Sequence, residues 1–353
     1  MPLRLGKLSP RDLEAIVLPH LGAARAEVLI GPRTGADAAI VRLGAGRVLA
    51  LTTDPLSIIP ALGVAASARL AAHLVASDLW TTGIPPAYVS VSLNLPVSLE
   101  EATLSEYLVA LDATWKELGV AVVTGHTGRY PGLDSSIVGA ATLLGVGDEG
   151  RYVTTRMASP GDRVIVTRGC AIEATAIAAY LMPRRLGARL DPEGLARARA
   201  LIDQVTVVPD CRALVNLGAR ERGVTAMHDA TEGGVLGGLI ELARSSGHDL
   251  RVERAKIPLS EEARAACEVW GGIDPYWTLS EGTLIATVRP ANLDAALAAL
   301  ADAGIAAAEV GEVVAGHGQL WLTEVDDRVV TLKEPEPDPY WPAYERAIRE
   351  GWS

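Results

Sequence analysis

The chain of 353 residues has no phenylalanine, only three cysteines and only four lysines. Cys170, Cys211 and Cys267 are scattered and form no CxxC pair, so they cannot staple a domain of this size, and a reducing cytoplasm is the expected compartment. No uncharged apolar run is long enough to cross a bilayer, and charge interrupts every apolar run of the N-terminal "MPLRLGKLSPRDLEAIVL". Neither export nor a membrane span is expected. The net charge is −11 and the Lys and Arg residues are nowhere concentrated, which argues against a nucleic-acid partner. An acidic enzyme that meets nucleotides is expected to do so through a bridging cation. Three signatures are missing as well: GxxxxGKS/T, a GxGxxG that follows a strand and opens a helix, and the GxSxG nucleophile elbow. The missing Phe and the preference for Arg over Lys are compositional and carry no functional content.

What is present is a globular composition, 49% apolar and 21% charged, in a chain long enough for two hydrophobic cores. A Gly- and Asp-rich stretch at 147–150 followed by "TTRMASPGD" places the boundary near residue 155. This predicts domains over 1–155 and 156–333, then a tail over 334–353. Residues 11–22 read as a short helix, and "EVLIGPRTGADAAIVRL" and "RVLALTTD" as strands. Val64 to Trp80 reads as a helix with Leu70, Leu74 and Asp78 on one face. "AYVSVSLNLP" alternates as a half-buried strand. Ser98 and Glu101 form a capping box for a helix striped by Leu104, Leu108, Leu111, Trp115 and Leu118 and ended by Gly119. "VAVVTGHTG" and "SSIVGAATLLGVG" read as strands joined by a turn around "RYPGLD". Beyond the boundary, "RVIVTRG" opens a mixed sheet with helices on one side. The tail "KEPEPDPYWPAYERAIREGWS" begins as a proline-rich spacer and ends in one short helix.

Four aspartates sit where the apolar pattern predicts burial: Asp37 in "GADAAIV", Asp54 closing "LALTTD", Asp78 on its leucine stripe, and Asp229. A carboxylate buried alone costs several kcal/mol or stays protonated, whereas several converging on Mg²⁺ become favourable ligands. Taken singly, Asp37 and Asp54 also read as turn residues and Asp78 as a helix terminator. In "MHDATEGGVLGGLIELA", a strand ending in His228 and Asp229 runs into the tight turn "TEGG" and a helix striped by Val235, Leu236, Leu239, Ile240 and Ala243. Gly233 and Gly234 at a helix start let phosphate oxygens approach unpaired N–H groups, with Asp229 beside them for a metal ion. The plainer alternative is a Thr231 N-cap, with Glu232 favourably placed on the helix dipole and His228 a satisfied buried histidine. "VTGHTG" is a second Gly-rich bend, in which His126 meets phosphate or metal or merely ends a strand. Glu281 in "LSEGTLIATV" is expected to be a turn carboxylate.

Seven segments occur in the order found in the aminoimidazole-ribonucleotide (AIR) synthase-related, or PurM-like, superfamily. They are "GADAAIV", "LTTD", "VASDLWTTGIPP", "VVTGHTG", "SPGDRVIVTRG", "MHDATEGGV" and "DPYWTLSEGTL". The chain resembles that superfamily nearly end to end, and its motifs are most similar to those of the hydrogenase maturation branch, HypE. The resemblance implies a two-domain α+β fold: an N-terminal α/β domain that forms a dimer-interface sheet or barrel, and a C-terminal α+β domain. It implies ATP and Mg²⁺ as cofactors. Asp37, Asp54, Asp78 and Asp229 would be metal ligands, and Asp37, Thr53, Asp54, Asp78, Gly125, His126, Thr127, Gly233 and Gly234 the nucleotide site. His228, Asp229 and Glu232 would serve proton transfer or substrate contact. The implied activity is ATP-dependent activation of an amide or similar acceptor, small or protein-borne, by phosphoryl transfer in a cytoplasmic homodimer. HypE carries its carboxamide on a C-terminal cysteine; this chain ends in "REGWS". Ser77 replaces an Asn common before Asp-Leu, and Glu232 stands where HypE has Arg, so an acceptor other than HypE's is expected. Two other readings use the same carboxylates, a Mg²⁺-dependent phosphohydrolase and a non-catalytic ATP-binding dimer.

Overall fold

A computed structural model describes residues 5–134 and 136–353. The chain folds as two units, one formed by residues 27–30 and 37–152, the other by the chain up to Ala26, residues 31–36 and everything from Val153 onward. The expected 1–155 span did not include this interleaving, in which the first segment of the chain belongs to the unit built by its second half.

The unit of residues 27–30 and 37–152 is a six-stranded sheet. Its strands are β1 (Val28–Ile30), β2 (Ala39–Gly44), β3 (Arg47–Ser57), β4 (Tyr88–Pro96), β5 (Ala121–Tyr130) and β6 (Ile137–Asp148), in the order β1-β2-β3-β6-β4-β5. All neighbours are antiparallel except β4 and β5. The helix Val64–Trp80 packs on β3 and β6, and the helix Glu101–Leu118 packs on that helix and on β5. Small residues permit the close approach: Ala68, Ala71, Ala72 and Ala76 are fully buried in the first helix.

Two local expectations fail here. The second helix begins at Glu101 with Glu100 at its N-cap and no side-chain cap, so Ser98 makes no capping box. A turn from Pro96 to Leu99 intervenes (Leu99 N–H to Pro96 O, 3.1 Å) and shifts the helix start past Ser98. Gly119 ends the helix as expected, in the left-handed region at φ +74°. Nor is "VTGHTG" a bend. It lies inside β5, an edge strand, and a Cβ on Gly125 would sit 2.3 Å from Val91 O on β4, so that glycine serves close parallel pairing. Strands β5 and β6 follow each other along the chain, but β4 lies between them.

The other unit holds seven strands: β7 (Arg163–Thr167), β8 (Val224–Ala230), β9 (Asp249–Glu253), β10 (Thr283–Val288), β11 (Ala307–Val314), β12 (Leu320–Thr323) and β13 (Val329–Leu332). Their order is β13-β12-β9-β11-β7-β10-β8, with β12 and β9 the parallel pair. Although β8 ends the sheet, all seven of its residues are buried, because the helices Val208–Leu217 and Gly234–Ser246 pack against it. The tail folds back as the helix Tyr340–Glu350. Tyr340 is buried, its ring 5.1 Å from that of Trp270 and 5.6 Å from that of Tyr344.

Candidate active site

In the first unit, strand alternation and one helix end bring the Thr52 hydroxyl to the Asp37 main chain and the Asp78 carboxylate. Along β3, Ala50, Thr52 and Leu56 are buried while Thr53 is exposed, so Thr52 and Asp54 share a face and Thr53 lies on the other. The Thr52 hydroxyl is 2.8 Å from the Asp37 carbonyl oxygen and 2.9 Å from a carboxylate oxygen of Asp78. Thr53 instead donates to Ala141 O at 3.1 Å and meets the Thr142 hydroxyl at 2.9 Å, apart from the aspartates.

The turn reading of Asp54 does not hold, since Asp54 and Pro55 lie within β3, opposite Ala141 and Ala140. Nor does Asp78 terminate its helix. That role belongs to Thr81 and Thr82, whose hydroxyls donate to the carbonyls of Asp78 and Leu79, both at 2.7 Å. A carboxylate in the last helical turn faces the negative end of the helix dipole, an unfavourable placement by about 0.3–1 kcal/mol that a nearby cation would reverse. Asp37, Asp54 and Asp78 are only partly buried, less than the apolar pattern predicts. Carboxylates with a hydroxyl and a carbonyl are an all-oxygen set, the hard donors that suit Mg²⁺.

In the second unit, "VTAMHDA" is β8 throughout, and the helix Gly234–Ser246 follows the turn. The expected stripe of Val235, Leu236, Leu239, Ile240 and Ala243 is fully buried. The N-cap is Gly233, in the left-handed region at φ +86°, and not Thr231. Thr231 contributes its carbonyl, which accepts the N–H groups of Gly234 (3.0 Å) and Ser280 (3.2 Å). Gly234 is required sterically, because a Cβ there would lie 2.6 Å from Tyr276 O and 2.8 Å from Thr278 N.

His228 is 2% exposed, with Nε2 3.0 Å from Oε2 of Glu241 on the following helix. Burial pushes the Glu241 carboxyl up, but the Lys7 ammonium 3.9 Å away and the His228 hydrogen bond outweigh it and hold the carboxyl down at about 2. An ionised Glu241 can only accept, so His228 donates from Nε2 in this pair. Asp229 is 3% exposed, with a carboxylate oxygen within 4.8 Å of a ring nitrogen of His228. Glu232 accepts the main-chain N–H of Lys7. Glu281, expected as a turn carboxylate, does lie in the turn before β10 and is buried there.

Sequence reasoning missed Thr52, Glu241 and Asp338. Glu241 carries the signal that singled out Asp78, a carboxylate amid an apolar run. Asp338 accepts the N–H of Gly233 at 2.8 Å across 105 residues, and no local pattern announces that. His126 meets Tyr130 across β5 (Nε2 to the hydroxyl, 2.8 Å). With Gly125 and Thr127 it lines a cavity of about 360 Å³ walled by Val91, Leu111 and Trp115.

Comparison with known proteins sets these parts in a family. Residues 35–146 match the AIR synthase related protein N-terminal domain and residues 159–322 its C-terminal domain. The carbamoyl dehydratase HypE of Bradyrhizobium diazoefficiens is 30% identical over 80% of this chain and 78% of that protein. The crystal structure of Escherichia coli HypE superposes with a TM-score of 0.70 at 25% identity, covering 93% of this chain and 96% of that one. A HypE crystallised in complex with ATP gives 0.67 at 22%, over 96% and 98%. The fold is therefore the two-domain α+β architecture with mixed sheets, and the chain belongs to the AIR synthase-related family.

Proposed function

We propose that this protein is an ATP- and Mg²⁺-dependent enzyme that activates an amide or a similar poorly reactive acceptor by phosphoryl transfer. The observation that carries the reading is the Thr52 hydroxyl joining the Asp37 main-chain carbonyl to the Asp78 carboxylate, with Asp54 on the same face of β3. These oxygens suit a hard divalent cation. The ligand of the related HypE structure agrees with the nucleotide assignment. Mg²⁺, when bound, would neutralise phosphate charge that an acidic chain otherwise repels.

On this reading Asp37, Asp54 and Asp78 hold a cation in their unit, and Asp229 would serve a metal ion beside the Gly233–Gly234 helix start of its own unit. Gly233 and Gly234 offer the helix start to phosphate oxygens. His228, held by Glu241 through Nε2, would serve proton transfer or substrate contact. Most of the rate enhancement then comes from positioning and charge neutralisation. Glu232 would present a negative rim to the acceptor. The edge strand β5, exposed along most of its length, is the surface through which two copies would pair.

The test is calorimetric titration of the Asp54→Asn variant with ATP and Mg²⁺. The expected outcome is loss of binding by at least ten-fold, about 1.4 kcal/mol or more, with the unfolding transition retained. Unchanged affinity would refute the assignment of Asp54.

A further inference from the structure

Asp338 lies in "KEPEPDPYW", a stretch with the composition of a spacer, yet its carboxylate is engaged at both oxygens. Oδ2 accepts the N–H of Gly233 and Oδ1 that of Tyr340, each at 2.8 Å. The Gly233 amide is the N-cap amide of the 13-residue helix Gly234–Ser246, where the helix dipole favours negative charge. The tail therefore places its own anion where an anionic ligand would be held.

Two features make this arrangement reversible. Glu232, the residue before Gly233, is also acidic, and its charge together with burial raises the Asp338 carboxyl to about 6, burial being the larger cause. The Asp338 carboxylate holds that amide beside the charge of Glu232, whose own carboxylate accepts the Lys7 N–H, and a further negative group at the amide would add to this repulsion. The tail's seat is also incompletely satisfied. Trp341 packs edge-on against Tyr340 at 5.4 Å, but its buried Nε1 has no hydrogen-bond partner among the described residues. Gly6 closes over the same spot, since a Cβ on it would fall 2.6 Å from Glu232 Oε2 and 2.5 Å from the Trp341 ring.

We propose that the C-terminal segment is an internal latch: Asp338 occupies the Gly233 amide in the resting chain, and a phosphate-bearing ligand reaches that amide only after Asp338 has left. The inference rests on the reading above that phosphates lie at this helix start. It makes nucleotide affinity depend on the fraction of molecules with the tail released.

Amide exchange of residues 334–342, followed by mass spectrometry on the full chain with and without a non-hydrolysable ATP analogue and Mg²⁺, tests the latch together with ligand affinities of Asp338→Ala and Asp338→Asn. Saturating analogue should speed exchange across 334–342 in the wild type. Asp338→Ala should bind about ten-fold more tightly, and Asp338→Asn, whose amide oxygen still accepts from Gly233, should fall between. Unchanged exchange at saturation, or unchanged or weaker affinity in Asp338→Ala with its melting temperature retained, would overturn the latch. If Asp338→Ala does not fold, Asp338→Asn decides, and equal affinity to wild type counts against. If the wild type binds no nucleotide, the ATP reading falls by itself, and inorganic pyrophosphate, which needs only the helix-start amides, decides the latch. Tighter pyrophosphate binding by the variants sustains it, and no difference or no binding removes it.

Discussion

His228 and Glu241 show how one hydrogen bond ties a residue's chemistry to the stability of its unit. The Glu241 carboxyl titrates at about 2 in the fold, against 4.5 ordinarily. A depressed carboxyl contributes stability that is present above its unfolded value and is lost as pH falls through its folded value. Wild type should therefore lose stability between about pH 4.5 and 2, by roughly 2–4 kcal/mol at about 1.4 per pH unit. Glu241→Gln should be less stable at pH 7 by a similar amount and should converge on wild type near pH 2. Denaturant unfolding at several pH values measures this, and parallel curves for the two proteins would count against the ion-pair account. At this scale the sequence singles out carboxylates that interrupt an apolar pattern, as at Asp54 and Asp78, although both are less buried than that pattern predicts. It is silent where the partner is remote, as for Asp338 and Gly233, because nothing within a helical turn of either residue encodes the other.

Elements whose boundaries are set by local chemistry follow the sequence closely. The helix Val64–Trp80, the strand Val224–Ala230 and the helix after it lie where periodicity predicts. Elements defined by their neighbours do not. The glycines of "VTGHTG" suggest a bend, but Gly125 answers to the carbonyl of Val91 on an adjacent strand, and strand order is a long-range property. The same strand carries the proposed contact between copies. Val122 and Val123 are 57% and 56% exposed on β5, which ends its sheet among the described residues. Light scattering should give twice the chain mass of 37.0 kDa for wild type and the single mass for Val123→Lys, whose charge blocks edge pairing. A monomeric wild type, or a dimeric Val123→Lys, would contradict pairing through this edge.

The whole molecule combines an acidic chain, net −11, with a family whose solved relatives include a protein crystallised with ATP. Two cores were legible from length and composition. The membership of residues 31–36 in the second unit was not, because it depends on contacts such as the Thr155 hydroxyl donating to Gly35 O at 2.6 Å. On the proposed reading, a triphosphate approaching this much negative charge would need a cation between itself and Asp37, Asp54 and Asp78. Calorimetric titration of wild-type protein with a non-hydrolysable ATP analogue, once in Mg²⁺ and once in EDTA, reads that requirement directly. Binding should be clear in Mg²⁺ and at least about ten-fold weaker in EDTA; equal affinity in both, or none in either, would contradict the claim that these carboxylates tether the nucleotide through a metal ion.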